Sequence, residues 1–317
     1  MSAVAANPIV RAWYRVVDLL PEPGLRAQRR IALAALLAQA LIAVTGSVVR
    51  VTGSGLGCPT WPKCHDSSLL PIPSDEVPWW HQAIEFGNRQ IAVWIVVTTA
   101  AAIVLAVTRA RRRRELLVYA WILPATTLFQ GILGGITVLA GLTWWIVGLH
   151  LLVSLAMVWV AATLYVKVGQ PDDGMLVDAA PPAARRLVVA SAVVMSGALV
   201  AGVTVTGAGP HAGDRTNPDA IDRLHVSIPL LTSVHALLVV VFLALLFAAL
   251  LGLMRVYVAF HSPSDMIVGG LIFSQAITLY ITPVIYLALD RFSGKGPVTT
   301  PESEAAAAAA GSEALVK

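Results

Sequence analysis

The sequence predicts an all-α polytopic membrane protein built from two copies of one helical unit. Hydrophobic residues fill 57% of its 317 positions and charged residues only 13%, a balance that a water-soluble globule has no interior large enough to absorb. Apolar runs of roughly 20 residues, enough to cross a bilayer core, recur along the chain. Two elbows, Val51-Thr52-Gly53-Ser54-Gly55 and Val205-Thr206-Gly207-Ala208-Gly209, each close such a run, which marks an internal repeat.

Residues 1–30 are polar and basic and are expected to form a cytoplasmic segment. The first apolar run is long enough to span, so no cleavable leader is expected. Spans are predicted near 31–49, 90–108, 116–140, 145–166, 187–206, 226–254 and 266–289, seven in all. They group into an N-terminal half-bundle over 31–168, a cytoplasmic linker at 169–186 and a C-terminal half-bundle over 187–292. The residues 293–317, with alanines at 305–310, read as a low-complexity disordered tail.

Arg26, Arg29 and Arg30 precede the first span, Arg109 and Arg111 to Arg114 follow the second, and Lys167, Arg185 and Arg186 lie between the fourth and fifth. The positive-inside rule places these on the cytoplasmic side of the cell membrane, together with the N-terminus. The loops 50–89, 141–144 and 207–225 then face outside. This bias accounts for the net charge of +4 without a nucleic-acid partner.

Both cysteines, Cys58 and Cys64, fall in the first outer loop, where an oxidising compartment allows a disulfide to persist. Pro59 and Pro62 between them favour a turn that brings the ends together, and their spacing is a poor match to a metal site. His150 stands at the outer end of the fourth span with no charged sequence neighbour. An ionisable group at that depth has a partner, and imidazole serves either as a metal or haem-iron ligand or as a hydrogen-bonding core residue. Glu85 and Arg89 lie one helical turn apart. They form either an ion pair or a functional couple in which the carboxylate faces a substrate and the guanidinium holds an anion. His235, about 15 Å along the helix from His225, is expected to pack or hydrogen-bond. His65, His81 and His211 are expected to be solvent-exposed.

Taken together these pieces resemble the haem A synthase family, membrane enzymes of the cytochrome oxidase assembly route. The matching segments are Gly46 to Pro59 with Trp61-Pro62-Lys63-Cys64, Ile84-Glu85-Phe86-Gly87-Asn88-Arg89, Gln130-Gly131 through Leu142, Gly148-Leu149-His150, and Thr206 to Asp214 followed by Leu224-His225. The resemblance covers about 30–250. It implies an all-α bundle of eight helices in two pseudo-symmetric four-helix bundle halves, with haem b as cofactor in one half and haem O oxidised in the other to haem A, the C8 methyl becoming a formyl group. By motif, Glu85 would be the catalytic carboxylate, and Asn88 and Arg89 would line the haem-binding site. His150 and His225 would be axial iron ligands, and Cys58 with Cys64 the external disulfide. Implied partners are haem O, haem O synthase, a membrane electron acceptor and further copies of the chain.

The chain departs from the family pattern in two places. Asn88 stands where many members carry a histidine, and no histidine occurs near Leu287, where the last ligand is expected. Moreover, Arg255 to Asp265, with His261 inside it, is similar to the third motif of phosphatidic-acid-type phosphatases. Residues 269–290 are similar to a final helix of resistance-nodulation-division exporters. The phosphatase set is incomplete, because no partner motifs occur upstream. Two other readings therefore stand beside the synthase: a haem-binding electron carrier without oxidation chemistry, and a phosphatase- or transporter-like scaffold.

Overall fold

The computed structural model describes residues 7–73, 77–172, 182–209, 213–214 and 221–257, with side chains as far as 250. All of them belong to one compact unit, Met1–Ile277. The described residues are helical, with no strand. They form α1 (Pro8–Asp18), α2 (Leu25–Val51), α3 (Trp79–Ile91) running through a π turn (Ala92–Val96) into α4 (Val97–Arg109), α5 (Arg114–Leu139), α6 (Trp144–Val168), α7 (Pro182–Ala208) and α8 (Ile228–Tyr257).

Six of these rods are long and apolar enough to cross a membrane: α2, α3 with α4, α5, α6, α7 and α8 as far as Leu250. The chain is therefore a multi-pass membrane protein. Helices are the natural solution in hydrocarbon because each satisfies its own backbone. The polar hydroxyls inside them do the same: Thr45 donates to the Leu41 carbonyl at 3.1 Å, Ser47 to Ala43 at 2.9 Å and Thr108 to Val104 at 2.7 Å. Six expected spans are present among the described residues, and the seventh, at 266–289, lies outside them. The second span begins at Trp79, eleven residues before the apolar run that announces it. Glu85 and Arg89 are thereby inside a span and not ahead of it.

The first half is closed by small and branched side chains. Ala32, Ala35 and Leu36 of α2 meet Ala100, Ile103, Val104 and Val107 of α4. Leu116, Ala120 and Leu123 of α5 and Ala161, Ala162, Leu164 and Val168 of α6 complete the cluster. Alanine at these places lets backbones approach closely, the main source of helix attraction in lipid. In the second half α7 packs on α8, and α7 meets α6 where Gly148 lies under Val203.

Two polar ends complete the bundle. At the arginine end, Arg112, with a side chain only 9% exposed, donates to Asp172 at 2.7 and 2.9 Å. It also donates to Gln28 Oε1 at 2.8 Å and to the carbonyls of Val168 and Gln170 at 3.2 and 2.8 Å. At the elbow end, Arg50 donates to the Thr206 carbonyl at 2.8 Å and Gly55 N–H to the Gly213 carbonyl at 2.7 Å. The two repeated elbows are thus bonded to each other.

Arg112→Ala strands several acceptors at once and is expected to cost about 1–3 kcal/mol. The measurement is the melting temperature of the detergent-solubilised protein, with exposed Arg186→Ala as the silent control.

Candidate functional site

The elbow end gathers the polar residues that the sequence singles out. Gly53 leaves α2 with φ of +68°, a left-handed conformation that suits glycine. The loop beyond it is closed by the expected Cys58–Cys64 disulfide, with Cα atoms 4.3 Å apart. α3 holds that loop from below. The buried Glu85 accepts the Cys58 N–H at 2.7 Å and Arg89 Nη2 at 2.5 Å. Arg89 also donates to the carbonyls of Cys58, Thr60 and Lys63 at 3.0, 3.1 and 3.2 Å. Of the two arrangements open to this pair, the ion pair is realised, and its work is to dock the disulfide loop. That loop carries Trp61 onto α5, where the indole covers Gly135 so closely that a β-carbon there would lie 2.6 Å from the ring.

His81 is buried, contrary to its expected exposure. The reason is the early start of α3, which turns this residue inward beneath the elbow, with Nδ1 2.9 Å from Ser54 Oγ and the ring stacked on Trp80. Ser54 in turn shares a 2.7 Å hydrogen bond with Thr52. His65 pairs with Gln82 at 3.0 Å. His211 lies outside the described residues.

His150 points from α6 toward α5, with its ring over Gly134, whose missing side chain leaves the room. Its Nδ1 is buried with no hydrogen-bond partner among the described residues, and the same holds for Gln130 Oε1. Gln130 lies one turn before Gly134 and donates its amide to the His150 carbonyl at 3.0 Å and to Ser154 Oγ at 2.5 Å. Two unused polar atoms thus sit on neighbouring groups at the α5–α6 contact.

The expected second-half ligand is His225. It is exposed and lies in the segment before α8, whose first residue is Ile228. Among the described residues His235 is the buried histidine of this half, 2% exposed, with its ring over Gly202 and Nδ1 3.0 Å from the Ala198 carbonyl. A carbonyl partner there makes Nδ1 the protonated nitrogen and gives Nε2 the lone pair, the tautomer of a metal-binding imidazole oriented by its backbone. Aligning the two elbows sets Ala198 and Gly202 at the places of Val44 and Val48, the turn that contains Thr45. Asn88 packs on that turn, its Oδ1 accepting from Thr45 at 2.7 Å. His235 is therefore the repeat counterpart of Asn88. The sequence contains a signal for this, a lone imidazole two turns into the most apolar helix.

The structure thus brings together Glu85, Arg89 and Cys58, separately Gln130 with His150, and separately His235 with α7. No group of three His, Cys, Asp or Glu side chains suited to a bare metal ion occurs among the described residues. Arg255 lies in the last turns of α8, and the rest of the phosphatase-like segment, His261 included, is outside the described residues.

An integral helical bundle with paired elbows, and with His150 and His235 turned onto glycines of neighbouring helices, defines the class. The chain belongs to the COX15-CtaA family of cytochrome oxidase assembly proteins, whose model matches residues 29–290. Among curated proteins it is similar to the Heme A synthase of Lysinibacillus sphaericus (strain C3-41), 32% identical over 98 residues, which cover 31% of this chain and 30% of that one. It is also similar to the Heme A synthase of Geobacillus thermodenitrificans, 31% identical over 87 residues, covering 26% and 24%. The match spans less than a third of these relatives' length. No solved structure matches.

Arg89→Ala removes four hydrogen bonds to the disulfide loop and its anchor. At about 0.6 kcal/mol per bond inside a membrane protein the loop loses about 2 kcal/mol, roughly a thirty-fold rise in opening. The check is the rate at which a mild reductant exposes Cys58 and Cys64 to alkylation, with Arg26→Ala unchanged from the parent.

Proposed function

We propose that this protein is a haem A synthase, an oxidoreductase that converts the C8 methyl of haem O to a formyl group. The observation that carries the reading is a pair of inward-turned imidazoles, His150, half-buried with its Nδ1 shielded, and His235, buried. Each lies over a glycine of the neighbouring helix, and His235 has its Nδ1 occupied by a backbone carbonyl. This donor set fits haem iron: neutral nitrogen ligands in an apolar seam, with side-chain volume removed beside each ring. His235 would hold haem b in the second half and His150 the substrate haem in the first. Haem b would supply the route by which electrons leave, toward a membrane electron acceptor.

The overall change is R–CH3 + H2O → R–CHO + 4 H⁺ + 4 e⁻. Glu85 and Arg89 are fixed at the elbow end, so the carboxylate is a preorganised negative group suited to stabilising positive charge that develops beside it. Gln130, through the His150 carbonyl and Ser154, sets the position of the α6 turn that carries His150. The outer leaflet side of the plasma membrane, an N-terminus in the cytoplasm, delivery of substrate by haem O synthase and assembly with further copies of the chain complete this reading.

A second reading, the electron carrier, is favoured by Asn88. Its Oδ1 is used by Thr45, and an amide is a poor iron ligand, which leaves the first half one imidazole.

The purified protein is expected to show a Soret band that His235→Ala weakens far more than His225→Ala; equal loss would remove His235 from the ligand role. Coexpression with a source of haem O, followed by pigment extraction, is expected to yield formyl product. Unchanged haem O with the Soret band intact selects the carrier. Glu85→Gln keeps an acceptor for Cys58 N–H but removes the charge. Bound haem should persist while formyl product falls about a hundredfold or more, and full product in this variant restricts Glu85 to holding the loop.

A further inference from the structure

The N-terminal helix α1 carries more apolar surface than the protein covers. Its inner stripe, Val10, Trp13, Tyr14 and Val17, is used: Val17 is fully buried, Trp13 meets Trp121 of α5 with ring centroids 5.7 Å apart, and Arg111 lies 4.4 Å over the Tyr14 ring. The helix is then pinned by its last residues. Asp18 accepts Arg111 at 2.7 and 3.0 Å, and the Leu20 carbonyl accepts Arg109 at 2.7 Å. A second stripe at helical spacing, Ile9, Ala12, Val16 and Leu19, is left open, with Ile9 76%, Val16 58% and Leu19 85% exposed. The remaining arc is polar, with Arg11 and Arg15 on it.

The depth of this open stripe is fixed by what α1 touches. Trp121 stands seven residues into α5, about 10 Å from its arginine end. It is one wall of a shallow groove of about 470 Å³ bounded by Arg114, Leu117, Val118, Trp121, Ile122 and Ala125. That groove lies on the outward flank of a membrane-spanning helix and carries an arginine at its rim. Arg11, Arg15, Arg26, Arg30 and Arg114 are all exposed, and none has a side-chain partner among the described residues. By contrast Arg109, Arg111, Arg112 and Arg113 at the same end are occupied by carboxylates and carbonyls. Open apolar surface at the level of the headgroup boundary, bordered by unused guanidinium groups, matches a leaflet of anionic phospholipid.

The geometry points to α1 as an interfacial anchor. Its open stripe dips into the acyl boundary beside α5, and the five unpaired arginines bind the phosphates of anionic phospholipid. This assignment is independent of the reaction the bundle performs, since none of these residues belongs to the site described above.

The test uses the full chain in nanodiscs of phosphatidylcholine alone and of phosphatidylcholine with phosphatidylglycerol. The native cysteines are bridged, so a spin label goes only to an added thiol, at V16C on the open stripe or at R11C on the polar arc. The label at 16 is expected to be relaxed by oxygen and shielded from a water-soluble nickel relaxant, about 5–10 Å below the phosphates, and the label at 11 to show the reverse. A label at 16 open to the nickel reagent in both lipid mixtures overturns the proposal, as does its shielding only when an acidic protein is added. Native mass spectrometry of the protein drawn from the mixed nanodiscs should show phosphatidylglycerol retained over phosphatidylcholine. That preference should fall about five-fold for each of Arg15→Gln and Arg114→Gln. Equal retention of the two lipids by the parent protein also overturns it.

Discussion

Hydrocarbon offers no hydrogen bonds, and that single constraint governs where most polar side chains of the described residues are placed. Hydroxyls in the middle of spans fold back on their own helix, as Thr45, Ser47 and Thr108 do. Groups too strong for that are gathered at the two ends, where backbone is left over from loops. Arg112 collects the carbonyls that end α6, Arg50 a carbonyl near the end of α7, and Arg89 three carbonyls of the disulfide loop. Each guanidinium serves as a knot between elements distant in sequence. Against that background a buried nitrogen such as His150 Nδ1, with no partner among the described residues, stands out as a group waiting for something.

Much of this was legible in the chain. Composition and run length define the class, because burial of so many apolar residues has only one solvent that suits it. The elbows announce the repeat, and the disulfide follows from its loop. What escaped reading are boundaries and partners. α3 begins among polar residues, Trp79 to Arg89, because their side chains are satisfied by the loop above them, and hydropathy has no way to register a partner supplied from elsewhere. The same blindness hid His81 beneath the elbow. His225, set in a matching motif, is exposed, and His235, the repeat counterpart of Asn88, is buried. α1 gives only a weak signal in the chain, the N-cap Asn7 accepting from Ile9 N–H at 2.9 Å and Pro8 at its first turn, because it is too short and too basic to stand out as an apolar run.

The repeat is imperfect in an informative way. Asn88 and His235 occupy corresponding turns, yet one bonds a threonine hydroxyl and the other a main-chain carbonyl. The first half has an amide at this place and carries an imidazole on α6, whose ring lies over Gly134. Duplicated scaffolds separate labour this way: the packing seam is common to both copies, and the identity of the one polar residue inside it distinguishes them.

The π turn at Ala92–Val96 deserves a last thought for what it does to direction. Such a turn accommodates one residue more than an α-helix would, and one residue is worth about 100° of rotation. Everything above it, Glu85, Asn88 and Arg89, is aimed relative to Val96, Ala100, Ile103 and Val107 below it by that surplus residue alone. Excising one amino acid between 92 and 96 would leave a straight rod with an unbroken apolar seam and swing the entire polar crown away from its loop. Aim and anchorage in this helix are therefore separable traits, adjustable by a single codon gained or lost.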